Sequence, residues 1–470
     1  MEFEAIIGLE IHAELNCETK AFCSCPVAFA KEANSCTCPV CMGMPGALPT
    51  LNKKVPEYAV MLGIALNCKI REKSQHARKN YFYPDLPKGY QISQAKLPIC
   101  YDGCVELDDK KIRINRIHIE EDAGKLIHMD GKTLIDYNRA GVPLVEIVTE
   151  PDLRSAKEAK LLLEKIKENL LYLGISECKM QQCNLRCDVN VSVRRKGDTV
   201  YNQRCEMKNV NSISAMERCI NYEINRQIEI YKQGGSIQRQ TRRWIDEKNE
   251  SVVLREKESI GEYRYFPDPD LPCIEVTEAV LLKIKSAMPE LPEIKRSRYL
   301  DNYALTKYEC EEIMRVKAFT KILDEAVEHK APAKKAYNYL VSDIARLINE
   351  KNITPDEIPF GGKQIAELIA MIEEGKITST TAKDVIGCMF SENKSPSEIV
   401  KENNFTQLED PKLLKAVVLD VLAENQKSVD DYKKGKKKAM GFIMGECMRK
   451  THNRANASIL SLVIREELEK

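Results

Sequence analysis

Long hydrophobic runs are missing from this 470-residue chain. No stretch of about 18 apolar residues occurs, so no membrane-spanning helix is expected. The opening Met1-Glu2-Phe3-Glu4 has neither the basic nor the apolar region of a secretory signal, which points to a cytoplasmic protein. An excess of charge of one sign is missing too. Lys and Arg number 72 against 71 Asp and Glu, for a net charge of +1. That balance excludes a generally basic nucleic-acid coat but leaves room for a local patch. The phosphate-cradling G-x4-G-K-[ST] string and the dinucleotide G-x-G-x-x-G string are both absent. Any nucleotide must therefore be held by another kind of surface.

Cysteine, by contrast, is abundant, with 18 residues. Without a secretory signal a disulfide framework is not expected. Scattered residues such as Cys68, Cys100, Cys178, Cys219, Cys310 and Cys388 read as small buried apolar groups. Residues 22–41 differ. Cys23 and Cys25 form one close pair, and Cys38 and Cys41 form a C-x2-C knuckle, with Cys36 as a spare. Four thiolates gathered by two tight turns make a closed tetrahedral site, the arrangement that holds structural Zn2+.

The segment Leu9–Leu15 alternates strictly. Leu9, Ile11, Ala13 and Leu15 share one face of a strand, and Glu10, His12 and Glu14 share the other. Two readings fit that second face: the wet side of a half-buried strand, or part of a divalent-metal site. Residues 112–122 read as a further strand ending in Glu120, Glu121 and Asp122, with a parity break near Asn115–Arg116 that predicts a bulge. Leu144–Val148 is an apolar strand carrying one carboxylate, Glu146, which needs a partner if buried. Leu185–Arg194 alternates cleanly, with Asp188 and Asn190 on its polar side. The next strand sets Arg204, Glu206 and Lys208 on one face.

Ser155 with Glu158, and Ser214 with Glu217, predict capping boxes opening two amphipathic helices, 155–173 and 214–231. The stretch 78–94 (RKNYFYPDLPKGYQISQ) interleaves four aromatics with Arg78, Lys79 and Lys88. It predicts an ordered loop that either stacks on a base and a phosphate or packs on itself. These elements describe a largely antiparallel sheet, apolar on the face covered by helices and lined with acids and bases on the other. That mixture suits metal-nucleotide chemistry.

From about residue 290 strand signals fade and prolines punctuate helices such as 307–329, 333–350 and 363–374. The predicted organisation is α+β: a catalytic domain at 1–290, an all-α helical domain at 291–395 and an all-α tail domain at 396–470. Within the tail, Asp431–Arg454 holds eight Lys or Arg against one Asp and one Glu. Lys433, Lys434, Lys436, Lys437 and Lys438 lead that run, which favours a phosphate-backbone partner. Gly441 and Gly445 beyond it are expected to allow close helix contact.

Several long strings together carry a resemblance: IGLEIHAEL at 7–15, RKNYFYPDLPKGYQISQ at 78–94, HIEEDAGK at 118–125, GVPLVEIVTEPD at 141–152, LRCDVNVSVR at 185–194, YRYFPDPDLP at 263–272 and SVDDYKKGKKKAMGFIMG at 428–445. End to end the chain resembles the B subunits of the aspartyl/glutamyl-tRNA amidotransferases. The resemblance implies a cradle-shaped catalytic domain similar to glutamine synthetase, which uses ATP and Mg2+ to phosphorylate the side-chain carboxylate of Glu or Asp misacylated onto tRNA(Gln) or tRNA(Asn). Ammonia from the amidase (A) subunit, working with a small (C) subunit, then displaces the phosphate. Carried onto this chain, the resemblance implies Mg2+ ligands at His12, Glu121 and Glu146, with Glu10 as an additional acid. Lys79 and Asp188 are implied in phosphate or ammonia handling, and Cys23, Cys25, Cys38 and Cys41 in zinc binding. Residues 259–263, and 451–457 near the end, depart from the family pattern. A non-catalytic tRNA scaffold and a ligase acting on a free small molecule are the competing readings. The retained acids argue against the first and the basic tail against the second.

Overall fold

The computed structural model describes residues 2–27, 32–107, 110–256, 263–392, 394–408, 410–434, 436, 438–451 and 454–469. Lys437, residues 259–262 and residues 452–453 lie outside the described residues. The chain divides into two compact units, Met1–Pro292 and Glu293–Lys470.

The first unit is built on a nine-stranded sheet. Its strands are β1 (Phe3–Glu14), β2 (Lys69–Ile70), β6 (Cys100–Leu107), β7 (Lys110–Glu121), β10 (Pro143–Thr149), β11 (Leu185–Arg195), β12 (Cys205–Lys208), β13 (Gln240–Ile245) and β14 (Glu250–Glu256). Smaller sheets use β3 (Lys73–Ser74) with β16 (Ile274–Glu275), β4 (Ala77–Asn80) with β5 (Tyr90–Ser93) and β15 (Phe266–Pro267), and the hairpin β8 (Lys125–Met129) with β9 (Lys132–Asp136). The large sheet runs β14-β13-β12-β11-β1-β10-β7-β6-β2, antiparallel apart from the β12–β13 pair. β1 sits near its centre, between β10 and β11. The predicted bulge is present: Val148 pairs with Arg116 but Thr149 pairs with Ile114, which leaves Asn115 as the extra residue.

Period-two patterning decides which face is dry. Ile7, Leu9, Ile11 and Ala13 of β1 pack with Ile117, Ile119, Val145, Ile147, Val189 and Val191 in one core. Helices supply much of its other side, chiefly α1 (Lys54–Ala65), α2 (Ala156–Leu173) and α3 (Ile213–Lys232). Fully burying an aliphatic side chain of this kind contributes about 1.5–3 kcal/mol. Ser155 caps α2 by accepting from the Glu158 backbone N–H. The Glu158 carboxylate, however, accepts from Arg154 N and pairs with Lys110, so the reciprocal half of that capping box does not form. α3 starts before the expected Ser214. Ser212 is its cap, accepting from Ala215 N, because Ser212 holds the extended conformation a cap requires.

Among the described residues the second unit is helical, joined only by an isolated bridge, Leu408 to Ala455. The predicted helix 307–329 is two, Lys307–Met314 and Lys317–Glu328. The helix over 333–350 is interrupted by a π-helical turn at Leu340–Ile344. Near the end Leu414, Val418, Ile443, Cys447, Leu460 and Ile464 form a core of their own. Gly441 and Gly445 do not mediate helix contact. Ala439, Ile443 and Cys447 make the buried stripe of helix Lys438–Lys450, which turns both glycines to open space. No helix among the described residues is long and apolar enough to cross a membrane.

Candidate functional site

The polar face of the large sheet is organised as rungs. Along one rung, cross-strand pairing aligns His118 of β7, Glu146 of β10, His12 of β1 and Arg186 of β11. On the next, Glu10 pairs with Asp188, and Lys208 of β12 joins Asp188 by an ion pair. On a third, Gly8 lies opposite Asn190, which pairs with Glu206. Antiparallel register thus sets residues from five strands side by side, about 4.5–5.5 Å between neighbouring Cβ atoms.

The first rung closes into a cluster. His12 Nε2 lies 3.2 Å from Glu146 Oε2 and 4.0 Å from Glu120 Oε2. His118 Nε2 lies 3.3 Å from Glu120 Oε1 and 3.4 Å from Glu146 Oε2. Lys79, reaching in from β4, stands 3.8 Å from Glu120 Oε1. Ser93 Oγ donates to Glu120 at 2.7 Å. One His12 nitrogen and one oxygen each from Glu120 and Glu146 lie within 4.8 Å of one another, as the ligands of a metal ion would.

Charge pairing sets the protonation states. Burial disfavours an imidazolium at His118, but the charge of Glu146 and the bonds to Glu120 and Glu146 win and lift its pKa to about 9. The same contest raises His12. Burial works against the Glu120 carboxylate, yet Lys79 and His118 pull it down to about 2. Glu146 is lowered for the same reason, by His118 and His12 against burial. Lys79 is raised, burial being outweighed first by the charge of Glu120. Without partners such buried charges would cost several kcal/mol each.

Glu121, expected beside His12 and Glu146, stands apart from them. Successive residues of a strand point to opposite faces, so Glu120 takes the cluster side and Glu121 the other. The Glu121 carboxylate is ion-paired with Lys88 and accepts from Ile92 N at 2.8 Å. Glu10 is also outside the cluster, accepting from Asn190 Nδ2 at 2.9 Å. Asp188 pairs with Lys208, which in turn lies 3.2 Å from Glu206 Oε1. Glu14 accepts from Asn184 at 2.7 Å, and burial with the nearby Asp122 raises its pKa to about 7. His118 and Glu120 were missed as members of the group. The bulge at Asn115 and the strand parity beyond it were the signal that could have found them.

A cavity of about 400 Å³ opens over this face, lined by His12, Lys79, Glu120, Arg186, Asp188 and Lys208 among others. A second, of about 580 Å³, continues past Glu10 and Asn190 toward Arg116, Tyr201, Arg204 and Arg239. The 78–94 stretch lends Lys79, Tyr81 and Gln91 to the wall of the first, and it packs both on itself and on the acids and tyrosines of neighbouring segments. The Arg78 guanidinium lies 4.3 Å from the Tyr90 ring centre and pairs with Asp268 and Asp270. Lys79 lies over Tyr263. Phe82 remains exposed.

The four expected cysteines also meet. One Sγ each from Cys23, Cys25, Cys38 and Cys41 lies within 4.8 Å of the others. The spare, Cys36, stays out of that group, its backbone N–H donating to Asn138 Oδ1 at 2.8 Å. The Cys23 hydrogen bond holds the Cys41 thiol down to about 4 against the effect of burial, and Lys20 adds to it. Cys23 is raised in return, and burial pushes Cys25 up to about 11. A set of four soft sulfur donors at this spacing fits Zn2+.

Residues 5–282 match the model of the GatB/GatE catalytic domain, and residues 321–468 match that of the GatB domain. The chain belongs to the GatB family. Its relatives align along their whole length. The aspartyl/glutamyl-tRNA(Asn/Gln) amidotransferase B subunit of Caldicellulosiruptor bescii is 47% identical, with 100% of each chain covered. Proteins of the same name are 45% identical in Ruminiclostridium cellulolyticum, covering 100% of this chain and 98% of that one, and 42% identical in Clostridium tetani, covering 100% of both. In this GatB-family chain Lys433, Lys434, Lys436 and Lys438 are exposed where one tail helix ends and the next begins. Lys436 pairs with Asp431 at 2.9 Å.

Proposed function

We propose that this chain is the ATP-using component of a tRNA-dependent amidotransferase, acting on Glu-tRNA(Gln), Asp-tRNA(Asn) or both. The observation that carries the reading is the cavity whose wall interleaves the acids Glu120, Asp122 and Asp188 with the cations Lys79, Arg186 and Lys208. A carboxylate is a poor electrophile. In the proposed reaction an oxygen of the aminoacyl side chain attacks the γ-phosphorus of ATP, and the bond to ADP breaks. The acyl phosphate then meets ammonia from the amidase (A) subunit, assisted by a small (C) subunit. A carbon–nitrogen bond forms, the bond to phosphate breaks, and nitrogen gives up a proton.

The chain's own cations suit this chemistry. Lys79, Arg186 and Lys208 would neutralise the phosphoryl oxygens as charge shifts during transfer. Asp188, paired with Lys208 at the cavity wall, is suited to take the proton from nitrogen. His12, Glu120 and Glu146 would hold Mg2+, with Glu10 and Glu121 outside that set. The ion when bound would supply further positive charge against the phosphoryl group. Cys23, Cys25, Cys38 and Cys41 would hold structural Zn2+. The antiparallel sheet supports the expected cradle. Residues 291–395 and 396–470 would act as separate helical and tail domains, and Lys433, Lys434, Lys436, Lys437 and Lys438 would contact the tRNA backbone.

The test is reconstitution. With its amidase partner and Mg-ATP, the protein should convert Glu-tRNA(Gln) or Asp-tRNA(Asn) to the amidated form and release phosphate only when that tRNA is present. Equal ATP consumption without tRNA would sink the reading. Charge reversal of Lys433 and Lys434 should raise the KM for tRNA roughly tenfold at moderate salt and flatten its salt dependence. kcat should not change.

A further inference from the structure

One segment, Tyr137–Val142, is hydrogen-bonded to chain neighbours of both clusters of the first unit. On the cysteine side, Lys20 donates from Nζ to Tyr137 O at 3.1 Å, and its backbone N–H donates to Cys25 O at 2.9 Å. Ala21 N donates to Gly141 O at 2.8 Å, and Cys36 N to Asn138 Oδ1 at 2.8 Å. On the sheet side, Gly141 N donates to Asp122 O at 2.9 Å, and Asp122 N donates to Val142 O at 2.8 Å. Arg139 donates to Ala123 O and Gly124 O at 3.0 and 3.1 Å.

Gly141 lies between Lys20 and Cys41 on one side and Glu121 on the other. Its φ of +86° favours glycine, and a Cβ there would lie 3.5 Å from Lys20 Cδ, 3.8 Å from Cys41 Cβ and 3.8 Å from Glu121 Oε2. Lys20 itself is fully buried. A buried ammonium is costly unless it faces negative charge. Four thiolates around a divalent ion carry two formal negative charges in excess of the metal, so Lys20 and the cluster stabilise each other.

We infer that the cysteine cluster positions the Glu120–Asp122 end of β7, with Lys20 and segment 137–142 as the linkage. Lys20 is a positioning residue: it offsets one of the cluster's two excess negative charges and donates to Tyr137 O. That this strand end borders a reaction site rests on the proposed function. The linkage does not, and its readouts require no turnover.

Two measurements test it on the full chain. In the first, cobalt replaces the metal, and binding is followed through thiolate-to-cobalt absorption in wild type and Lys20→Met. The variant should bind cobalt roughly 10–100-fold more weakly. Equal affinity would remove Lys20 from the linkage. In the second, hydrogen exchange of the wild type is compared before and after a zinc-selective chelator, with Mg2+ in excess. Amides of 118–124 and 137–142 should exchange at least roughly tenfold faster after chelation, together with 22–41. Loosening confined to 22–41 would overturn the proposal. This arm stands even where Lys20→Met fails to fold.

Discussion

The first unit holds two groups of ligand-type side chains, built in opposite ways. His12, Glu120 and Glu146 come from three strands, and only sheet register brings them together. Cys23, Cys25, Cys38 and Cys41 come from one stretch of turns. The two carboxylates of the first group are met by two neighbouring cations, His118 and Lys79. The second leans on one outside cation, Lys20. It follows that the sheet cluster has its geometry and charge set before any ion arrives, whereas Cys23 and Cys25, held as thiols by their surroundings, become thiolates only when an ion binds. Removing a ligand should therefore disturb function most in the first group and metal retention most in the second.

The steepest loss is expected at Glu146, where two imidazoles converge on one carboxylate. Glu146→Gln should lower transamidation roughly a hundredfold or more. It also leaves His12 and His118 facing less negative charge, and breaking a buried pair of this kind costs about 3–5 kcal/mol. Steady-state assay with a thermal melt checks both. Near-wild-type activity would show that the cluster is only a structural ion network.

Next comes the pair Glu120 and Glu121. Glu120→Gln should weaken Mn2+ binding by roughly tenfold or more, on the order of a disrupted ligand shell. Glu121→Gln should leave it within about threefold, while loosening Lys88 and the Ile92 amide. Mn2+ titration followed by paramagnetic resonance separates them. The reverse order would reinstate Glu121 as the ligand.

That pair also marks how far the sequence could be read. The alternation of β1, the strand Leu185–Arg195 and the helix capped by Ser155 were legible, because each depends on local periodicity or a local cap. The four cysteines were legible as one group because their ligands lie within one short stretch. The choice between Glu120 and Glu121 was not. It depends on a one-residue bulge at Asn115 and on which way β7 faces after it. The start of α3 and the outward turn of Gly441 and Gly445 failed for a related reason. The glycines depend on the buried stripe chosen by tertiary packing, and the start of α3 on which of two nearby serines takes the extended cap conformation; propensity alone sets neither.

On the thiolate side, Cys41→Ser should reduce metal content from about one ion per chain to near none, since a closed four-sulfur site tolerates no missing ligand. Cys36→Ser should leave metal content unchanged. Elemental analysis of the two purified variants is enough. Metal loss in Cys36→Ser would bring the spare cysteine into the ligand set. Activity should fall less in Cys41→Ser than in Glu146→Gln if the cysteine cluster acts only through position.

The mildest change concerns His76, which packs edge-on against Phe22 beside the cysteine stretch, with ring centres 5.3 Å apart. Burial pushes its pKa down to about 4, opposed weakly by Asp268. Its folded-state pKa is thus below the unfolded value of about 6.5. The neutral ring's contribution to stability is fully present above about pH 6.5, and it is lost as pH falls from there toward 4. The full loss amounts to about 3 kcal/mol at about 1.4 kcal/mol per pH unit. His76→Phe keeps an aromatic ring and removes the proton site, so its stability should be flatter than wild type between about pH 6.5 and 4. Denaturant melts across that range measure the slope. Activity at about pH 7.5 should be unchanged, because the ring is neutral there in both states. An equally steep acid limb in the variant would assign the loss to other groups, first among them the thiolates next to Phe22, which also take up protons as pH falls.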